Sequence, residues 1–278
     1  MIRRPPRSTP FPSPTLFRSL LLALPTGGFS QTRLSDDVAR SGWSWGCASF
    51  DFENDGFPDL YVANGLESRA SVRDYESEYW LHDRFIAGSK PEPSAYLYFQ
   101  SKFSRTRGRG HSYGGYERNR LYLNRRATAF LDVGHLMGLG HQEDARNVVA
   151  DDLDGDGRVD LVTTSFEPWP ASRQILRIHQ NAIEHPGNWI GFRFQEEPGR
   201  PSPSGVSVSI LSPERASIRH IVTGDSHRSQ HSPTLHFGLG EDTRIDQAEI
   251  RWPGGIKTTL LNPSLNQYHQ VLAPALVP

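Results

Sequence analysis

The stretch DLDGDGRVD, residues 152–160, places four aspartates and two glycines in one short segment. Numbered from Asp152, the acids occupy positions 1, 3, 5 and 9, and position 6 is a glycine. Carboxylates packed this closely repel one another unless a cation neutralises them. Ca²⁺ takes about 6–8 oxygen ligands in a flexible shell, and alternate residues of a tight loop supply them. The stretch, hereafter the second loop, is therefore predicted to bind calcium.

The same frame occurs earlier, in DFENDGFPD, residues 51–59, hereafter the first loop. In each copy, position 7 is expected to add a backbone carbonyl to the ligand set. The first loop is the weaker copy, because Glu53 is longer than an aspartate and Pro58 restricts the backbone. The predicted ligands are Asp51, Glu53, Asp55, Phe57 and Asp59 in the first loop and Asp152, Asp154, Asp156, Arg158 and Asp160 in the second.

Short β-rich runs flank both loops, so each unit is predicted to be strand–loop–strand. An EF-hand is excluded, since position 12 is Val62 or Thr163 rather than glutamate and no helical pattern flanks the loops. Mg²⁺ is disfavoured because it prefers fewer protein ligands in a stricter octahedron. The ion is expected to pin a turn in a small sheet, which is a supporting role and not a catalytic one.

The rest of the chain also favours an all-β protein. Residues 120–124 and 129–133 predict a hairpin, residues 69–88 a helix, and the Gly- and Arg-rich residues 101–120 a long loop. From about residue 188, short alternating strands recur every ten residues or so, which is typical of a sandwich or barrel. The predicted units are residues 20–182, with an insertion at 66–118, and residues 187–273.

Composition excludes several classes of protein. The 30 basic and 31 acidic residues nearly cancel, so nucleic-acid binding is not expected. The single cysteine, Cys47, precludes an intrachain disulfide and is expected to be a small core residue. No apolar run reaches the length of a membrane span. Residues 1–19 resemble a translated sequencing adapter, which predicts a fragment from assembled metagenomic reads whose gene is truncated upstream.

The acidic loops, as DFENDGFPDLYVANG and DLDGDGRVDLVTTS, resemble the core of FG-GAP/VCBS repeats. The pieces NWIGFRF, TGDSHRSQHSPTLHFGLG and IDQAEIRWPGG resemble the ASPIC/UnbV domain. The order of the two is that of the cartilage acidic protein 1 family and its bacterial relatives. This resemblance implies a calcium-bearing β-propeller, here partial, followed by a small β-domain. It also implies an exported protein that is extracellular, periplasmic or on the cell surface.

These observations predict a non-enzymatic, calcium-stabilised binding or adhesion module. Its partner would be a carbohydrate, a matrix component or another protein. The alternative is an enzyme or a biosynthetic accessory protein that uses the histidine-containing loop 225–236, in which His227 and His231 are four residues apart and Asp225 lies nearby. No catalytic residue is assigned, since the chain has no serine elbow, phosphate loop or dinucleotide fingerprint.

Overall fold

The computed structural model describes residues 20–23, 27–39, 41–75, 93–107, 109–198, 200–213, 215–222 and 224–274. Residues 1–19, for which the sequence predicts an adapter origin, lie outside this part of the chain. The regular structure of the described part consists almost entirely of strands, in several sheets that do not close into a barrel. The predicted all-β class is therefore confirmed.

The first loop connects two strands of a four-stranded antiparallel sheet. The hairpin predicted near residues 120–133 forms the other half of this sheet and is confirmed. Ahead of the sheet lie β1 (Leu22–Ala23), β2 (Phe29–Ser30) and α1 (Arg33–Val38). In spatial order, the strands of the sheet are β3 (Ser44–Phe50), β4 (Asp59–Asn64), β7 (Arg120–Asn124) and β8 (Phe130–Asp132).

The segment between β4 and β7 contains β5 (Ser71–Asp74), α2 (Pro93–Arg107) and β6 (His111–Ser112), with β5 parallel to β6. The predicted loop over 101–120 is wrong for its first seven residues, which belong to α2. Proline suits the first turn of this helix, and the glycines that break helices begin only at residue 108. The predicted helix over 69–88 is wrong where β5 lies, and its remainder from residue 76 is outside the described residues.

The second loop connects β9 (Ala145–Asp151) and β10 (Asp160–Glu167), and β11 (Arg173–His179) completes a three-stranded antiparallel sheet. The strand–loop–strand prediction is thus confirmed for both loops. The two sheets pack face to face, with β3 against β9, which brings both loops to the same end of the pair. Their shared core is formed by Ala48, Phe50, Tyr61 and Leu121 from the first sheet and Val148 and Leu161 from the second.

The opposite face of the first sheet is covered by α1. Leu34 and Val38 of this helix pack on Val62 and Tyr122, and the half-buried Cys47 lies against the same cluster. The helix therefore covers a second apolar face of the sheet.

After residue 187 the chain forms a second β-unit of two sheets around one core. Seven strands form there, in agreement with the short alternating strands predicted from about residue 188. One sheet has the order β15-β12-β18 and the other β14-β13-β16-β17. Large apolar side chains such as Phe192, Phe237 and Trp252 fill the space between them. The strands are β12 (Asn188–Gln195), β13 (Ser207–Leu211), β14 (Ala216–His220), β15 (Thr234–Gly240), β16 (Gln247–Arg251), β17 (Lys257–Leu261) and β18 (Tyr268–Leu272).

Candidate metal sites

The two acidic loops share one backbone conformation. At position 6, Gly56 and Gly157 have φ angles of 88° and 86°. At position 4, Asn54 and Gly155 also lie in the left-handed region, at 60° and 79°. The sequence pattern of the loops marks the glycine at position 6, whereas it does not mark the left-handed residue at position 4. Asparagine and glycine are the residues that tolerate this conformation best.

The position-1 carboxylates close both loops in the same way. Asp51 Oδ1 accepts a hydrogen bond from the Asp55 amide at 3.0 Å, and its Oδ2 accepts one from the Gly56 amide at 2.7 Å. Asp152 repeats this with the amides of Asp156 and Gly157, at 3.1 and 2.8 Å. Both aspartates are buried. The loop is therefore shaped by its own first residue.

The position-9 carboxylates brace the loops against the next strand. Asp59 accepts hydrogen bonds from the amides of Phe52 and Asn124, both at 2.7 Å. Asp160 accepts the equivalent pair from Leu153 at 3.0 Å and from Asn181 at 2.7 Å.

The asparagines at Asn124 and Asn181 were missed at the sequence level. The available signal was that each stands at or just after the end of the strand that follows its loop unit. Because each position-9 carboxylate has both oxygens engaged by N–H groups, its first role is to hold the loop closed.

In the second loop, three carboxylates converge. One oxygen each from Asp152, Asp154 and Asp156 lies within 4.8 Å of the other two. Oxygens bound to Ca²⁺ at about 2.3–2.6 Å stand at most about 5 Å apart across the ion, so this spacing fits that cation. Asp154 and Asp156 are exposed. Asp154 accepts hydrogen bonds from the Gln180 side chain at 2.7 Å and the Asp156 amide at 3.2 Å, and Asp156 accepts them from the side chain of Arg158 and from its amide at 2.9 Å.

The first loop also fits a cation, but through a different feature. Among the described residues it forms no comparably tight group, but Glu53 Oε2 is buried without a hydrogen-bond partner. Burial, and then repulsion by Asp55 and Asp51, raises the pKa of Glu53 to about 7. Burial likewise raises the pKa of Asp51 to about 6 and that of Asp59 to about 8. A cation here would relieve both the burial cost and the repulsion.

The two loops also bind each other. The Asn54 side chain donates to the carbonyl of Gly157 at 2.9 Å. The Asn181 side chain donates to the carbonyl of Phe52 at 2.9 Å. The first loop therefore supports the backbone of the second directly, and Asn181, which braces the second loop, supports the backbone of the first.

The C-terminal β-unit packs on the first loop through backbone atoms. The Gly240 amide donates to the Asn54 carbonyl at 2.6 Å, and the Gly187 amide donates to the Glu53 carbonyl at 2.9 Å. A Cβ atom on Gly238 would lie only 2.6 Å from Asn54 Cα. This approach requires glycine in the C-terminal unit, since any side chain would push the two units apart.

Aromatic and cationic side chains of the C-terminal unit pack on the second loop. The Trp189 ring lies against Gly157, where a Cβ atom would be 2.5 Å from Cζ2 and closer still to Nε1. Arg193 donates to the Asp152 carbonyl at 3.1 Å and stands 4.0 Å above the Tyr268 ring. The docking face of the C-terminal unit is defined by its residues against the two loops, which are Gly187, Trp189, Arg193, Arg215, His236, Gly238, Gly240 and Tyr268.

His236 is part of this docking face. One ring nitrogen contacts Asn54 Oδ1 at 2.8 Å and the other contacts the Tyr268 hydroxyl at 3.1 Å. Burial, and then the charge of Arg219, lowers the pKa of His236 to about 3. The imidazole is therefore neutral near pH 7 and holds the two units together.

The other histidines of the loop 225–236 do not converge. His227 stacks against Trp45 at 4.9 Å, whereas His231 Nε2 lies 3.9 Å from Asp225 Oδ2. The two histidines line separate cavities. Within the described part of the chain, no group of three metal-ligating side chains includes either of them.

Comparison with known proteins bears on the C-terminal unit alone. The model of the family described as ASPIC and UnbV matches residues 199–276. Compared with the curated proteins, the chain matches none. Neither of the helices that the structure describes is long and apolar enough to cross a membrane. Residues 199–276, which cover most of the second β-unit and lie against the acidic loops, are thus similar to ASPIC and UnbV domains.

Proposed function

We propose that the chain is a non-enzymatic, calcium-stabilised binding module of the extracellular or cell-surface type. The observation that carries the proposal is the convergence of Asp152, Asp154 and Asp156 within 4.8 Å in a loop that is covered by the C-terminal unit. An ion held there stabilises the contact between the units and need not take part in any reaction. The ASPIC/UnbV match is compatible with this class of protein.

In the second loop, Ca²⁺ would be held by the three converging aspartates, the Arg158 carbonyl and Asp160. In the first loop the equivalent set is Asp51, Glu53, Asp55, the Phe57 carbonyl and Asp59. When bound, the ion supplies positive charge that cancels the repulsion between these carboxylates. The chain itself supplies the left-handed turns and the hydrogen bonds that aim the carboxylates inward.

The architecture over residues 20–182 is proposed to be part of an FG-GAP/VCBS-type propeller. Two features support this interpretation, namely the repeated strand–loop–strand unit and the packing of one sheet on the next through β3 and β9. Such modules are typically exported, and rigid β-scaffolds commonly bind carbohydrates, matrix components or proteins through their loops. The second unit, residues 187–273, is the proposed ASPIC/UnbV domain.

An enzyme or accessory role for the loop 225–236 is the second candidate. It would need His227 and His231 at one centre, and they line separate cavities. The binding role is therefore the better supported of the two.

Calorimetric titration with Ca²⁺, with thermal melts in Ca²⁺ and in EDTA, tests the calcium proposal. Two binding events and a lower melting temperature on chelation are expected. Replacing Asp154 and Asp156 together with asparagine should remove one event and most of the EDTA effect at that loop. Asp246→Asn is the matched control, since the side chain of this aspartate is partly exposed and pairs with Arg244 of the C-terminal unit. No binding heat and equal melts with and without EDTA would overturn the calcium proposal.

A further inference from the structure

A cavity of about 350 Å³ lies between the ends of β3 and β9 and the C-terminal unit. Its apolar walls include Phe50 and Val159 from the first unit and Ile221 and Leu235 from the second. Ligand pockets of roughly 300–1,000 Å³ are typical for small molecules. This cavity therefore has room for one small molecule, and no step described so far uses it.

One wall of the cavity carries a positively charged side chain at a position where the strand pairing favours an apolar one. Arg219 is in the edge strand β14, directly opposite Val208 of β13. Val208 is fully buried in the core of the C-terminal unit. Since paired residues of neighbouring strands point to the same side of a sheet, this register would normally place an apolar side chain at residue 219. The arginine instead reaches past the Phe237 ring, 5.6 Å away, and lines the cavity.

Apart from its contact with the Phe237 ring, the Arg219 guanidinium has no hydrogen-bonding or ion-pair partner among the described residues. Across the described ranges, no oxygen accepts a hydrogen bond from it and no carboxylate forms an ion pair with it. The charges of Asp51 and Asp59 act on it without forming an ion pair, and the oxygens of both acids already accept backbone amides. Arg219 is half-buried, and a guanidinium that lines a cavity without an acceptor favours a ligand that supplies an anion.

Besides Arg219, the cavity is lined by hydroxyl and imidazole groups and by the carboxylates of Asp51, Asp151, Asp152 and Asp225, of which Asp51 and Asp152 accept the amides of their own loops. Asp151 and Asp225 each use one oxygen to hold a neighbouring backbone amide, at 3.0 and 2.7 Å, which leaves a second oxygen. His231 Nε2 is buried without a hydrogen-bond partner, 3.9 Å from Asp225 Oδ2. These groups would repel a multiply charged anion such as phosphate, but they would accept hydrogen bonds from hydroxyl or ammonium groups.

We propose that this cavity binds a small carboxylate that also carries hydrogen-bond donors. Arg219 donates to the carboxylate, and Asp151 and Asp225 accept from the donors at its other end. A sugar acid, with hydroxyl donors, and an amino acid, with an ammonium donor, share this chemistry. The inference rests on the proposed binding role and names its ligand class, but it assigns none of this chemistry to a calcium ion.

Calorimetric titration of the calcium-saturated chain with D-glucuronate and with L-serine tests the proposal. D-Glucose and ethanolamine are the controls, since they keep donors of the same kind and lack the carboxylate. We expect one carboxylate to bind at least about tenfold more tightly than its neutral analogue, since a hydrogen bond to a charged group contributes about 1.5–3 kcal/mol. Binding of glucuronate would identify hydroxyl groups as the donors of the ligand, and binding of serine would identify an ammonium group.

Variants of Arg219 test whether the carboxylate binds in this cavity. Arg219→Met should abolish binding, and Arg219→Lys, which keeps the charge without the two-donor fork, should weaken it. Arg244→Met, the same change at an exposed arginine paired with Asp246, should leave it unchanged. If the Arg219 variants fail to fold, the Nε–H resonance of Arg219 in the unmodified chain should shift saturably with the carboxylate.

Three results would overturn the proposal: binding of neither carboxylate, equal binding of the neutral analogues, or undiminished binding by folded Arg219→Met. A resonance that does not move during the titration would do the same. The calcium titration and the carboxylate titrations test different claims. Calcium binding without carboxylate binding would reject only this inference, and carboxylate binding without calcium binding would reject only the calcium proposal.

Discussion

Replacing Gly157 with alanine should separate the C-terminal unit from the second loop. A Cβ atom at this position would stand 2.5 Å from Cζ2 of Trp189 and closer to two further ring atoms. Real Cβ contacts of this kind are not tolerated, so either the ring or the loop has to move. The ring cannot move freely, because His236 stacks on it at 5.1 Å and Tyr268 packs on it at 4.8 Å.

Gly155→Ala provides a matched control for the backbone. Gly155 has a φ angle of 79°, close to the 86° of Gly157, and a Cβ atom there would meet nothing within 4 Å. Both variants carry the strain of a left-handed alanine, about 1–2 kcal/mol. Only Gly157→Ala adds overpacking, which costs about 1–3 kcal/mol. The difference between the variants should therefore be about 1–3 kcal/mol in the free energy of unfolding.

Urea and thermal unfolding, followed by far-ultraviolet circular dichroism and tryptophan fluorescence, measure this difference. A loss of 1 kcal/mol lowers the melting temperature by roughly 2–4 °C in a chain of this size. Gly157→Ala should thus melt about 2–12 °C below Gly155→Ala. Trp189→Phe, introduced into Gly157→Ala, should recover part of the loss by opening space. Equal stability of the two alanine variants would refute the packing of Trp189 on the second loop.

Two further outcomes are expected. Asn54→Gly keeps the left-handed turn but removes two buried hydrogen bonds, one of them to His236, and should lower the free energy of unfolding by about 2–4 kcal/mol. The control is Asn262→Gly, at an exposed residue with a φ angle of 46°, which should change the free energy of unfolding little. Equal effects of the two variants would contradict the proposed contact between the loops. The pKa values of Glu53 and Asp59 are raised to about 7 and 8, so the calcium-free fold binds these protons more tightly than the unfolded chain does. The stability of the calcium-free fold is therefore lost as pH rises through those values. The drop in melting temperature caused by EDTA should accordingly grow from pH 5 to pH 8, and a drop independent of pH would reject the role of the first loop.

The acidic loops illustrate how much of a site can be predicted locally. Acids at alternate positions and a glycine at position 6 lie within one turn of chain, so their spacing alone implies a closed acidic loop. The braces at Asn124 and Asn181 lie 65 and 21 residues beyond the aspartates that they contact. No local pattern connects an asparagine to a carboxylate at such separations, because the pairing depends on which strand follows in the sheet.

The sequence by itself determined the all-β class, the two strand–loop–strand units and the strands of the C-terminal unit, because alternation and turn residues act over a few neighbours. Tertiary structure alone decided that the C-terminal unit covers both loops, that Asn54 meets His236 across 182 residues, and that Arg219 faces a cavity. These contacts join segments whose local sequences are independent of each other. Their geometry is set by the packing of whole sheets, which no single stretch of residues specifies.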